Sequence, residues 1–235
     1  MQKKYHHHQR PHSVGYLPAA YFIIITAIIM AVWAFGSYYL YTVFEPSARI
    51  CFPPLHGCVP VSRAGESFVS GVFFRATVLP ASSLLAISFW FGIQFLKHIS
   101  PHHLYCTRTI LFILGVVLCP LFLIICEAIL NGTVNNPLEE MHEFYAKLAF
   151  LTPLLFQIIY SITLSKNWKH PLPKMMIILT LLSLVCLLLM FRIIPVAISR
   201  FGTMMAWNLL ITFILWIMLM GISVKTYFSC AQLSR

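Results

Sequence analysis

Six stretches of this chain, 16–44, 69–96, 109–131, 146–165, 175–196 and 201–224, are apolar at or near the length of a membrane-crossing helix. Crossing the hydrocarbon core takes about 20 residues. The first stretch, the 76–96 portion of the second and the last carry no charge at all, and the fifth offers 17 uncharged residues before Arg192. A chain so built cannot cover a water-facing surface. It is 60% hydrophobic and 9% charged, where soluble domains carry roughly 25% charged residues. The class expected is all-α, a polytopic membrane protein of six transmembrane helices in a single domain, 1–235. A soluble enzyme, a disordered regulator and a nucleic-acid binder are excluded. No period of 20–50 residues repeats and no Gly/Ser-rich linker divides the chain.

Charge sorting sets the expected orientation, because lysine and arginine collect on the cytosolic side. With the N-terminus in the cytosol, the cytosolic segments hold Lys3, Lys4, Arg10, Lys97, Arg108, Lys166, Lys169, Lys174, Lys225 and Arg235 without any acid. All six glutamates, Glu45, Glu66, Glu127, Glu139, Glu140 and Glu143, fall on the opposite side or at its edge. Both termini are therefore expected in the cytosol. The first span reads as a retained signal anchor, too long and aromatic for a cleaved signal sequence. His6, His7 and His8 read as a solvated tail rather than a metal tract. Asn131-Gly132-Thr133, the one N-x-[ST] sequon, falls in a loop this topology makes lumenal, where Asn131 is a glycosylation candidate.

The reactive inventory is narrow. The chain contains no aspartate, so Ser-His-Asp triads and other aspartate-dependent chemistries are excluded. GxSxG, HExxH and GxxxxGK[ST] are absent too. Catalysis would have to use His, Glu, Ser, Tyr or Lys. No cofactor or metal is expected. Among seven cysteines only Cys51 and Cys58 share an expected lumenal loop, where they are either a disulfide or two free thiols. That loop, 45–68, is rich in proline and glycine and is expected to be compact without regular structure.

Four charges interrupt the apolar spans. Arg75 lies 22 residues from Lys97, Glu127 lies 19 from Arg108, Lys147 lies 19 from Lys166 and Arg192 lies 18 from Lys174. At about 1.5 Å per residue these separations are roughly 27–33 Å, so all four reach the lumenal interface at similar depth. His142 and Glu143 stand one turn beyond Lys147, and Ser62 sits at the membrane mouth. Either these residues mark helix ends and snorkel, or several converge on a positively charged pocket for a phosphate-bearing lipid headgroup. Asn208, an amide inside the sixth span, is expected to bond a partner on another helix. Pro80 and Pro153 are expected to kink their helices.

Three stretches together carry a family resemblance: Val61-Ser62-Arg63-Ala64-Gly65 with Phe73-Phe74-Arg75, Met141-His142-Glu143 with Leu148-Ala149-Phe150, and Trp207-Asn208 near the start of span six. The chain resembles the Frag/DRAM/Sfk family of six-span proteins, closest to the branch of post-GPI-attachment-to-proteins factor two. It departs from the family at Ala206, where a glutamate is often found. The resemblance implies lipid remodelling of glycosylphosphatidylinositol (GPI) anchors, with reacylation of lyso-GPI by a saturated fatty acid, in Golgi or endoplasmic reticulum membranes. The expected roles are His142 as general base steadied by Glu143, with Arg75, Lys147, Arg192 and Ser62 on the headgroup. A Glu143–Lys147 pair would instead leave His142 alone. The other reading is a non-catalytic, DRAM-like organiser of lysosomal or autophagic membranes.

Overall fold

Helix boundaries follow proline and glycine. A computed structural model describes residues 16–46, 48, 50–65, 67–99, 105–130, 136–191 and 200–233. Helix α1 (Tyr16–Phe44) has Pro18 in its first turn, where the missing N–H costs no intrahelical bond. The short α2 (Pro53–His56) begins on two prolines and ends at Gly57, whose φ of 57° is the left-handed conformation that suits glycine. Then come a 3-10 turn (Arg63–Gly65) and α3 (Phe68–Ile99). The 45–68 loop is thus partly helical, contrary to the expectation of no regular structure, because paired prolines preset φ for a first helical turn.

The third span has three parts: α4 (Tyr105–Leu111), a π-helical segment (Phe112–Leu118) and α5 (Cys119–Leu130). The sequence reading did not foresee the widened segment. Its physical cause is Pro120, which lacks an N–H and whose ring crowds the carbonyl four residues back. The Cys119 N–H accordingly donates to the carbonyl of Leu114, five residues earlier. Helices α6 (Asn136–Asn167), α7 (Pro171–Met190) and α8 (Phe201–Leu233) complete the chain. Pro80 and Pro153 lie inside α3 and α6 without ending either. At the start of α7, His170 Nδ1 accepts from the Leu172 N–H at 3.3 Å and Pro171 occupies the first turn.

Six helices are long and apolar enough to cross a membrane, and no strand occurs among the described residues. They pack in chain order around a ring: α1 on α3, α3 on the third span, that span on α6, α6 on α7, α7 on α8, and α8 back on α1. The second, fourth and sixth spans also meet across the centre. Phe89 and Phe156 stand 4.1 Å apart there, and Tyr160 meets Trp216 edge-on at 5.4 Å. All four are fully buried. Gly115, in the π segment, lets the third span close onto this cluster, since a Cβ there would come within 2.6 Å of Phe156 and 2.9 Å of Phe89.

Buried hydroxyls and indoles tie the ring together, as polar side chains do between helices in hydrocarbon. Ser88 donates to Thr26 at 2.9 Å (α3 to α1), Ser183 to Thr212 at 2.9 Å (α7 to α8), and Trp216 Nε1 to Ser161 Oγ at 3.0 Å (α8 to α6).

Candidate functional site

The 45–68 loop is seated on one end of the ring by named bonds. Tyr38 Oη donates to the Cys51 carbonyl at 2.5 Å and accepts from the Cys51 N–H at 3.2 Å. A disulfide joins Cys51 to Cys58. From α8, Trp207 Nε1 donates to the Val59 carbonyl at 2.7 Å and Asn208 Nδ2 to the Pro54 carbonyl at 2.8 Å. Asn208 thus finds its partner on α2 of the loop, and also bonds the Met204 carbonyl of its own helix. The loop is pinned on both sides, and its Pro60-Val61-Ser62 segment roofs a cavity.

That cavity, about 270 Å³, lies inside the ring beneath the loop and takes lining residues from all six spans. Ligand pockets run roughly 300–1,000 Å³, so it falls just below that class. Its inner wall is apolar: Met30 and Trp33 from α1, Phe74 and Val78 from α3, Leu210 and Phe213 from α8. Its polar lining includes Ser62, Cys126, His142, Glu143, Lys147 and Thr203. Apolar walls with a few convergent polar groups suit an amphiphile.

His142 is fixed by α5. Its Nδ1 lies 3.1 Å from the backbone carbonyl oxygen of Cys126 and 3.6 Å from that residue's Sγ. A carbonyl only accepts, so Nδ1 donates and the neutral ring keeps its lone pair on Nε2. This is the tautomer a general base needs. Glu143 turns elsewhere, because consecutive helical residues point about 100° apart. It pairs with Lys147 four residues on, Nζ to Oε1 at 2.7 Å. Glu143 therefore does not orient His142; the Cys126 carbonyl does.

Ser62, His142, Glu143 and Lys147 come together at this cavity, whereas Arg75 is not among its lining residues. Phe74 faces the cavity, and Arg75 is turned onward around the helix with its guanidinium beside Gly71. Since Lys147 is neutralised by Glu143, the expected excess of positive charge does not collect among the described lining residues. Arg192 and Asn131 lie outside the described residues, as does the side chain of Glu127. Ala206 also lines the cavity. The sequence reading missed Trp33 and Cys126, which gave no signal beyond being apolar members of apolar runs. Comparison with protein-family models, curated proteins and solved structures finds no match to this chain.

Proposed function

We propose that this protein supports lipid remodelling of GPI anchors, holding a lyso-lipid in the cavity with its glycerol at His142 and its phosphate at Lys147. The carrying observation is His142, held by the Cys126 carbonyl, on the lining of a largely apolar cavity to which all six spans contribute. The family resemblance supplies the substrate class. With the orientation that the charge sorting favours, the cavity opens toward the lumenal leaflet, where GPI anchors reside, in Golgi or endoplasmic reticulum membranes.

In the chemical step of this proposal, the sn-2 hydroxyl of the lyso-lipid attacks the carbonyl of an activated acyl ester or thioester. His142 Nε2 takes the hydroxyl proton as the new ester C–O bond forms, and returns it to the departing alkoxide or thiolate. The Cys126 carbonyl holds the imidazole through this exchange and stabilises the transient imidazolium. Lys147 anchors the phosphate, exchanging part of its contact with Glu143 for it.

A reading without turnover is favoured by one observation: among the described side chains no carboxylate is paired with His142, since Glu143 is paired with Lys147. The lipid of a GPI-anchored reporter, measured by mass spectrometry in cells lacking this protein, separates the two. Add-back of the wild type restores saturated diacyl anchors, and His142→Gln does not. Restoration by His142→Gln would leave the protein a lipid holder for another enzyme. No change with the wild type would remove the remodelling reading itself.

A further inference from the structure

The lining of the cavity is sorted by depth. Measured from the loop end of the ring, the deepest lining residue on each of five spans is apolar: Met30 of α1, Val78 of α3, Leu123 of α5, Pro153 of α6 and Phe213 of α8. The groups that can hold water lie nearer the loop. They are Ser62 on the loop itself, Cys126 late in α5, His142, Glu143 and Lys147 early in α6, and Thr203 at the start of α8. Below the apolar end the ring is closed. Further down the same helices stand Phe89 of α3, Phe156 of α6 and Trp216 of α8, all fully buried and none of them on the lining. The Phe213 ring rests on this layer, 6.2 Å from Phe89, which lies 4.1 Å from Phe156. Phe213 is therefore the floor of a blind pocket.

That floor gives the pocket a fixed length. Phe213 lies ten residues after Thr203 on α8, and Pro153 lies eleven after His142 on α6. At about 1.5 Å per residue both helices give a depth of roughly 15–17 Å. A chain of carbon–carbon bonds of about 1.5 Å, set at about 111°, advances about 1.25 Å per atom when extended, so about twelve carbons reach the floor. A methylene group is close to a water molecule in size, and at ~30 Å³ each the 270 Å³ of the cavity holds about nine of them. Resting on the reading of the cavity as a lyso-lipid site, we propose that Phe213 is a length gauge. The site takes an acyl chain of medium length, about nine to twelve carbons by these two measures, whose methyl end meets the Phe213 ring. With the headgroup held at His142 and Lys147, a longer chain cannot slide upward. Pushed downward it meets the Phe89–Phe156 layer, and close-packed interiors resist added methylenes.

The test measures displacement of tritiated 1-lauroyl lysophosphatidylinositol from the purified full chain in nanodiscs. The competitors are the saturated 1-acyl series from octanoyl to palmitoyl, compared at equal mole fraction in the disc so that partitioning into the bilayer cancels. For the wild type, decanoyl and lauroyl are expected to compete best, and palmitoyl at least about five-fold more weakly, as overpacking implies. Phe213→Ala opens the floor and is expected to bring palmitoyl to the lauroyl level. Ala206→Leu adds volume higher on α8 instead of removing it from the core. It is expected to move the optimum below decanoyl, and it keeps the test decisive if Phe213→Ala does not fold. A flat profile across the series in the wild type, or an unshifted profile in either folded variant, overturns the gauge and leaves the lipid site standing. No saturable displacement by any of the lipids overturns the lipid site and the gauge together.

Discussion

His142 Nδ1 lies 3.1 Å from the carbonyl oxygen of Cys126, a bond that joins the fourth span to the third and, in the neutral ring, sets the lone pair on Nε2. The acceptor is backbone, so it survives any change of the Cys126 side chain. Cys126→Ala is expected to remodel the lipid of a GPI-anchored reporter close to the wild-type level. His142→Ala, with equal expression, is expected to lower it by ~10²–10⁴-fold, the range a positioned general base contributes. Equal losses in the two variants would mean that the Cys126 thiol matters and the ring's tautomer does not.

The Glu143–Lys147 pair contributes little to stability. The two side chains are 69% and 45% exposed, and exposed pairs contribute about 0.2–1 kcal/mol. Glu143→Gln is therefore expected to leave the thermal unfolding midpoint in detergent nearly unchanged. Lys147→Gln is expected to weaken binding of a phosphate-bearing lyso-lipid and to flatten its dependence on salt. A salt dependence as steep as the wild type's would place the phosphate away from Lys147.

Gly115 and Gly202 separate close helix contact from open wall. A Cβ at Gly115 would come within 2.6–2.9 Å of Phe156 and Phe89, whereas one at Gly202 meets only the Met190 carbonyl oxygen at 3.8 Å. Gly115→Ala is expected to cost about 1–3 kcal/mol, as overpacking does, and Gly202→Ala close to nothing. Denaturation of the two purified variants checks this, and similar stability would show that the π segment shifts to make room.

Deep in the ring, Tyr160 carries a buried hydroxyl with no partner, while the neighbouring Ser161 accepts the Trp216 N–H. Removing an unpaired hydroxyl relieves a desolvation cost, and removing a paired one strands its partner. Tyr160→Phe is expected to keep or raise the unfolding midpoint. Ser161→Ala is expected to lower stability by about 1–3 kcal/mol. The reverse order would point to an ordered water bound to the Tyr160 hydroxyl.

Span number was legible in the amino-acid sequence because the cost of placing charge in hydrocarbon adds up along a continuous stretch. The first span was read to the residue, 16–44, and the others to within a turn or so at most ends; α6 begins about ten residues before its apolar stretch, at Asn136, and α8 runs nine residues past 224, to Leu233. The grouping of His142, Glu143 and Lys147 was legible as well, because they lie within about one and a half turns of one helix.

Azimuth was not. A soluble helix shows its inner face as an apolar stripe, but these spans are apolar on every side, so nothing in a list of residues says which side faces the ring. Only the packed helices decided that Phe74 rather than Arg75 looks into the cavity, that Trp33 forms its wall, and that the Cys126 carbonyl reaches His142. The π segment contributes through Pro120, whose own backbone is a local fact but whose effect on the register of α5 against α6 is settled by Gly115 meeting Phe156. Depth is a property of one helix, and convergence is a property of six helices packed together.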